Sequence, residues 1–86
     1  MTPDQQRMFD ELGKQAHEAI LKRNEANDYD LAFYNLGLLH GLERGMQLLD
    51  FNQAREFSQD LRAKHPLTAT SAPAGDVAPA ESEDQR

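Results

Sequence analysis

Three glycines recur at four-residue intervals inside the most apolar stretch of the chain. Gly37, Gly41 and Gly45 lie within residues 34–49, YNLGLLHGLERGMQLL, where the other residue types favour a helix. A glycine in a helix interior lowers stability by about 1 kcal/mol relative to alanine. That is a large amount for a domain whose total stability is about 5–15 kcal/mol. The spacing therefore predicts that the close approach of another backbone compensates for the loss.

The beginning of the chain carries the signals of a helix N-terminus. Thr2 can cap the helix, Pro3 suits its first position, and Gln5 can complete a capping box. Apolar and small side chains then recur with helical spacing until a polar run at residues 24–28 ends the pattern. We predict a first helix over about residues 3–25.

The second predicted helix runs without interruption from about residue 29 to residue 64, because no proline occurs between residues 4 and 65. A short connection makes two helices antiparallel neighbours. The sequence thus predicts an all-α fold in which residues 1–65 form a two-helix antiparallel hairpin. The hairpin is expected to dimerise into a four-helix bundle.

Small residues are expected on both sides of the contact between these helices. With the turn centred near residues 27–28, residues whose numbers sum to about 56 lie at the same level, so Ala16 faces Gly41 and Leu12 faces the region of Gly45. Two other interpretations of the glycines remain open: a seam between protomers, and space for a ligand. The residues expected at the contact are Gly13, Ala16, Ala19, Gly37, Gly41 and Gly45.

The same register leaves the end of the second helix without a partner in the chain. The start of the first helix is level with about residue 53, so the last three turns of the second helix extend beyond it. Large apolar side chains on an unpaired segment indicate an interaction with a second copy or with another protein. The predicted dimer or partner surface consists of Phe51, Ala54, Phe57 and Leu61.

Metal and catalytic sites find little support in the sequence. His17, His40 and Glu43 are the candidate metal ligands, but the order of histidine and glutamate is the reverse of the Glu-x-x-His motif of di-metal bundles. We predict surface or edge histidines, with His65 at the helix end, and no cofactor. The chain has no cysteine and no serine near a histidine and an orienting acid, so we predict that it is not an enzyme.

The C-terminal residues 66–86 are rich in proline, alanine, serine and glutamate, and we predict that they form a disordered acidic tail. No apolar run approaches the roughly 18 residues of a membrane span, and the N-terminus lacks the apolar core of a secretion signal. The expected location is the cytoplasm, with no membrane contact.

The charge distribution bears on the class of partner. The formal net charge is −6, and residues 1–65 carry 11 acidic and 8 basic side chains, so direct binding of nucleic acid is not expected. The predicted function is a small non-enzymatic interaction module: a regulator, adaptor or inhibitor that presents helical surface. The alternative is a ligand- or metal-binding helical bundle, and a minor alternative is an acidic inhibitor that imitates DNA.

Overall fold

The computed structural model describes residues 1–68, which form three α-helices: α1 (Pro3–Glu25), α2 (Tyr29–Leu49) and α3 (Phe51–Lys64). These residues contain no β-strand, and the predicted all-α class is confirmed. Apart from its first three residues, the predicted tail lies outside the described part of the chain. Within residues 1–68, no helix combines the length and the apolar character needed to cross a membrane.

The N-terminus of α1 is fixed by a reciprocal pair of hydrogen bonds. The Gln5 N–H donates to Thr2 Oγ1 at 3.1 Å, and the Thr2 N–H donates to Gln5 Oε1 at 3.0 Å. This capping box satisfies two backbone donors that have no partner within the helix. α1 ends at Glu25, and the backbone becomes extended at the C-cap residue Ala26.

The prediction of one uninterrupted helix over residues 29–64 is wrong, because the helix breaks at Asp50. This residue is extended (φ −159°, ψ 107°), and its N–H donates to the Met46 carbonyl at 2.9 Å, which closes α2. Its Oδ1 accepts from the Gln53 N–H at 3.0 Å, which caps α3. Aspartate is among the best N-cap residues, so a single residue ends one helix and begins the next.

The break allows α3 to fold back onto the first two helices and bury its apolar side. Leu61 joins a core cluster with Ile20 and Leu39, and Ala54 joins a second cluster with Phe9 and Met46. Burial of this apolar area outweighs the gain from continuing a straight, exposed helix. The expected two-helix hairpin is therefore replaced by three helices.

The prediction that the end of the second helix lacks a partner in the chain is also wrong. Ala54 and Leu61 are buried, and Phe57 is half-buried against both core clusters. Only Phe51 of the predicted partner surface is largely exposed. The basis for a dimer built on Phe57 and Leu61 is therefore removed.

The glycines fall into two groups by their surroundings. A Cβ added to Gly13 would lie 3.2 Å from the Phe57 ring, and one added to Gly45 would lie 3.3 Å from Leu12 Cδ1. Within the described part of the chain, a Cβ added to Gly37 or Gly41 would have no neighbouring atom within 4 Å. The expected contact of α1 with these two glycines is therefore wrong, because the core lies on another side of α2.

We expect Gly37→Ala to raise the free energy of unfolding by about 1 kcal/mol, since open space surrounds the added methyl group. Gly13→Ala should lack this gain, because the added methyl group would displace the Phe57 ring. Overpacking of a core lowers the free energy of unfolding by about 1–3 kcal/mol. Urea denaturation of both variants at low protein concentration measures the difference. Equal gains in the two variants would show that Phe57 does not restrict Gly13.

Candidate interaction surface on α2

The two sides of α2 differ in what they contact. One side carries the buried residues, among them Leu39, Leu42 and Met46. The opposite side faces away from α1 and α3, and we call it the outer face. Its members are Asp30, Phe33, Tyr34, Gly37, Leu38, Gly41, Arg44 and Leu48.

Large apolar side chains on the outer face are mostly accessible to solvent. Phe33 is 66% exposed, Tyr34 67% and Leu48 77%. Gly37 and Gly41 lie between the two rings and Leu48 along the helix, and no atom of the described residues 1–68 occupies the space beside these glycines. The outer face therefore combines exposed rings with a stretch of bare backbone. Clusters of this kind mark interaction surfaces more often than scattered exposed leucines do.

The outer face also carries one charge of each sign. Asp30 lies in the first turn of α2, and Arg44 lies about four turns further on. Both are exposed, and the ion pairs found within residues 1–68 involve other side chains. The two charges thus flank the glycines on either side along the helix.

A buried polar cluster joins α2 to α3 on the inner side. Glu43 accepts from Arg62 Nη1 at 2.9 Å and from Arg62 Nη2 at 3.0 Å. It also accepts from Ser58 Oγ at 2.8 Å. This bidentate pair satisfies the carboxylate and fixes the position of α3, which excludes Glu43 as a free metal ligand.

A cleft of about 490 Å³ is lined by residues of both α1 and α3. Phe57 and Leu61 line it from α3, and Phe9 and Gly13 line it from α1. Its lining includes two histidines, described below. It is the second candidate site of the molecule.

The three candidate metal ligands do not meet. His40 is exposed on α2, Glu43 is paired with Arg62, and His17 lies on α1. In the described part of the chain, no three histidine, aspartate or glutamate side chains come close enough to share a metal ion. His17 instead meets His65, with the two Nε2 atoms 3.1 Å apart. The sequence predicts His65 only at a helix end and not beside His17, because the return of α3 is what brings these residues, 48 positions apart, together.

Comparisons with known proteins add no further constraint on the site. A scan against protein-family models, a search of curated proteins and a search of solved structures each found no match. The function is therefore inferred from the surfaces of the chain itself. The outer face of α2 presents two largely exposed aromatic side chains, Phe33 and Tyr34, and the cleft contains the histidine pair.

Proposed function

We propose that this protein is a small non-enzymatic interaction module that acts through the outer face of α2, and that its first partner is a second copy of the chain. One observation carries the proposal: two exposed aromatic rings, Phe33 and Tyr34, lie about one helical turn before Gly37, and no atom of residues 1–68 fills the space beside Gly37 and Gly41. In the cell, such a module acts as a regulator, adaptor or inhibitor, because its surface is suited to binding another protein rather than to catalysis.

The exposed glycines support binding because no contact within residues 1–68 requires glycine at these positions. Alanine at Gly37 or Gly41 would meet no atom of those residues and would favour the helix by about 1 kcal/mol. A partner that needs the space above the backbone supplies a reason for glycine. Small residues at helix contacts allow side chains of a facing helix to approach the backbone closely.

An antiparallel pair of α2 helices fits both the shape and the charge of the outer face. If the two-fold axis passes beside Gly37, residues whose numbers sum to 74 lie at the same level. Phe33 is then level with the partner's Gly41, so the ring covers the open backbone. Asp30 is level with the partner's Arg44, so each end of the contact pairs opposite charges.

A parallel pair is less favourable. It would place Asp30 beside its own copy and Arg44 beside its own copy, and like charges at one level repel. It would also place Gly41 of one copy beside Gly41 of the other, so the Phe33 rings would not lie against the exposed glycine backbone. The proposed dimer is thus centred on two antiparallel α2 helices, each backed by its own α1 and α3.

Charge reversal tests the proposed register. Asp30→Arg and Arg44→Asp should each weaken the dimer about tenfold, because each replaces two attractive pairs with two repulsive ones. The double variant restores opposite charges and should dimerise like the parent. Concentration-dependent light scattering measures the association, and Glu18→Arg on the exposed side of α1 is the matched control.

Two outcomes would contradict the proposal. A 9.7 kDa monomer at tens of micromolar would overturn the second copy as the partner. A dimer that tolerates both single reversals, or that the double variant fails to restore, would overturn the antiparallel register.

A further inference from the structure

Two histidines that are 48 positions apart in the sequence bring the same ring nitrogen close together. His17 lies in α1, and His65 is the residue that caps the end of α3. Their Nε2 atoms are 3.1 Å apart, and their ring centroids are 4.8 Å apart with planes inclined by 43°. Both histidines line the cleft between α1 and α3.

These distances fit two rings that aim their Nε2 lone pairs at one point. If the two rings converge symmetrically on that point, two ratios are equal. The ratio of the centroid–centroid distance to the Nε2–Nε2 distance, about 1.5, equals the ratio of the centroid–point distance to the nitrogen–point distance. A metal–nitrogen distance of about 2.1 Å then places each centroid about 3.2 Å from the point. The difference between these two distances is the radius of an imidazole ring, as convergence on a shared ion requires.

A direct hydrogen bond between the rings fits less well. A linear Nε2–H···Nε2 bond places two imidazoles end to end, so the centroid separation exceeds the nitrogen separation by a full ring diameter. The observed centroid separation of 4.8 Å exceeds the nitrogen separation of 3.1 Å by less than that, so the two rings are not collinear. An ion bound to both nitrogens would lie off the line that joins them.

Equal numbers of acidic and basic side chains line the cleft beside the two histidines. Lys64 Nζ lies 3.2 Å from Asp60 Oδ2, so the lysine nearest His65 in sequence is neutralised by its own helix. Water can complete the coordination of an ion held by two imidazoles. The charged side chains that line the cleft beside the two histidines are Asp10, Lys14, Asp60 and Lys64.

We propose that His17 and His65 together bind one divalent transition-metal ion through Nε2, with Cu²⁺ bound more tightly than Zn²⁺. Imidazole is a preferred ligand of both ions. A nitrogen separation of 3.1 Å at bonds of about 2.1 Å gives a nitrogen–metal–nitrogen angle of about 95°. That angle is close to the right angle between neighbouring ligands of tetragonal Cu²⁺ and narrower than a tetrahedral angle. The ion would tie the end of α3 to α1.

Titration of the full chain with Cu²⁺ or Zn²⁺ in a calorimeter tests this site. We expect one Cu²⁺ per chain and weaker binding of Zn²⁺. His17→Ala and His65→Ala should each weaken Cu²⁺ binding at least about tenfold, since loss of a ligand exceeds the loss of an outer-shell partner. His40→Ala removes an exposed histidine on α2 and is the matched control.

Two further measurements separate the site from the fold and from the dimer. Cu²⁺ should raise the melting temperature of the parent and leave that of His65→Ala unchanged, because only a ligand bound to the native state stabilises it. Electron paramagnetic resonance of the Cu²⁺ form should show two coupled imidazole nitrogens. A dimer-deficient variant, Phe33→Ser, should bind Cu²⁺ as the parent does.

Several results would overturn the metal site. Unchanged Cu²⁺ affinity in His17→Ala or His65→Ala would exclude these residues as ligands. An equal loss in His40→Ala would indicate scattered surface binding. An imidazole Nε2–H signal coupled to both rings, persisting after Cu²⁺ is added, would assign the contact to a hydrogen bond.

Discussion

We expect Arg62→Met to lower the free energy of unfolding by about 3 kcal/mol, because it leaves the buried Glu43 carboxylate without its charged partner. The Glu43 side chain is 9% exposed, whereas that of Arg62 is 31% exposed. Without the guanidinium, the Glu43 carboxylate keeps only Ser58 as a side-chain donor among the bonds described. A buried carboxylate with too few donors destabilises the native state strongly.

The reciprocal change is expected to be milder. Glu43→Gln keeps an oxygen that accepts from Arg62 or Ser58, and the partly exposed arginine can reach water. We expect a loss of about 1 kcal/mol. Urea denaturation followed by circular dichroism measures both variants. Lys64→Met is the control, because its ion pair with Asp60 is mostly exposed and such pairs contribute less than about 1 kcal/mol. An equal loss in all three variants would contradict the special role of the buried pair.

Phe33→Ser is the variant expected to affect self-association most. The ring is largely exposed in the monomer, so its burial against the partner's Gly41 is available to the dimer. Burial of a phenylalanine side chain contributes about 1.5–3 kcal/mol, and a symmetric dimer buries two. The dissociation constant should therefore rise by about two to four powers of ten. The stability of the monomer should change little.

Phe51→Ser is the matched control for this variant. Phe51 is also an exposed phenylalanine near the start of a helix, but it belongs to α3 and is not a member of the outer face. Sedimentation equilibrium on the parent and both variants compares the two surfaces directly. If Phe51→Ser dissociates the dimer and Phe33→Ser does not, the interaction surface lies at the start of α3 instead.

The helical class and the first helix could be predicted from the sequence because their signals are local. The capping residues Thr2 and Gln5 and the polar run near residue 26 act within a few residues of the ends that they define. The expected level of Leu12 with Gly45 corresponds to a contact in the structure. Periodicity and turn chemistry were sufficient for these features.

The break at Asp50 could not be predicted from periodicity, because the apolar pattern continues through it. Asp50 followed by Gln53 is a capping signal, but an aspartate within a helix is only mildly unfavourable. Packing of Ala54 and Leu61 against two other helices decides between the bent and straight forms. Such long-range burial is not encoded in any short window of the sequence.

The errors in the predicted sites have the same cause, because the packing of α3 against the other two helices cannot be read from the sequence. The sequence register predicts Gly41 against α1, whereas the core side of α2 is centred on Leu39, Leu42 and Met46. The spacing of the glycines thus marks them as unusual but does not identify their neighbours. His65 gained a partner only when α3 returned to α1.

The position of Leu61 has a consequence for the order in which the fold closes. This side chain, near the end of the described chain, packs in one cluster with Ala16 and Ile20, more than forty residues earlier. Pairing of α1 with α2 needs only a short connection, but sealing that cluster requires a contact between distant residues, which forms slowly. During synthesis, Ile20 and Leu39 therefore stay uncovered on one side until the last turns of α3 have left the ribosome.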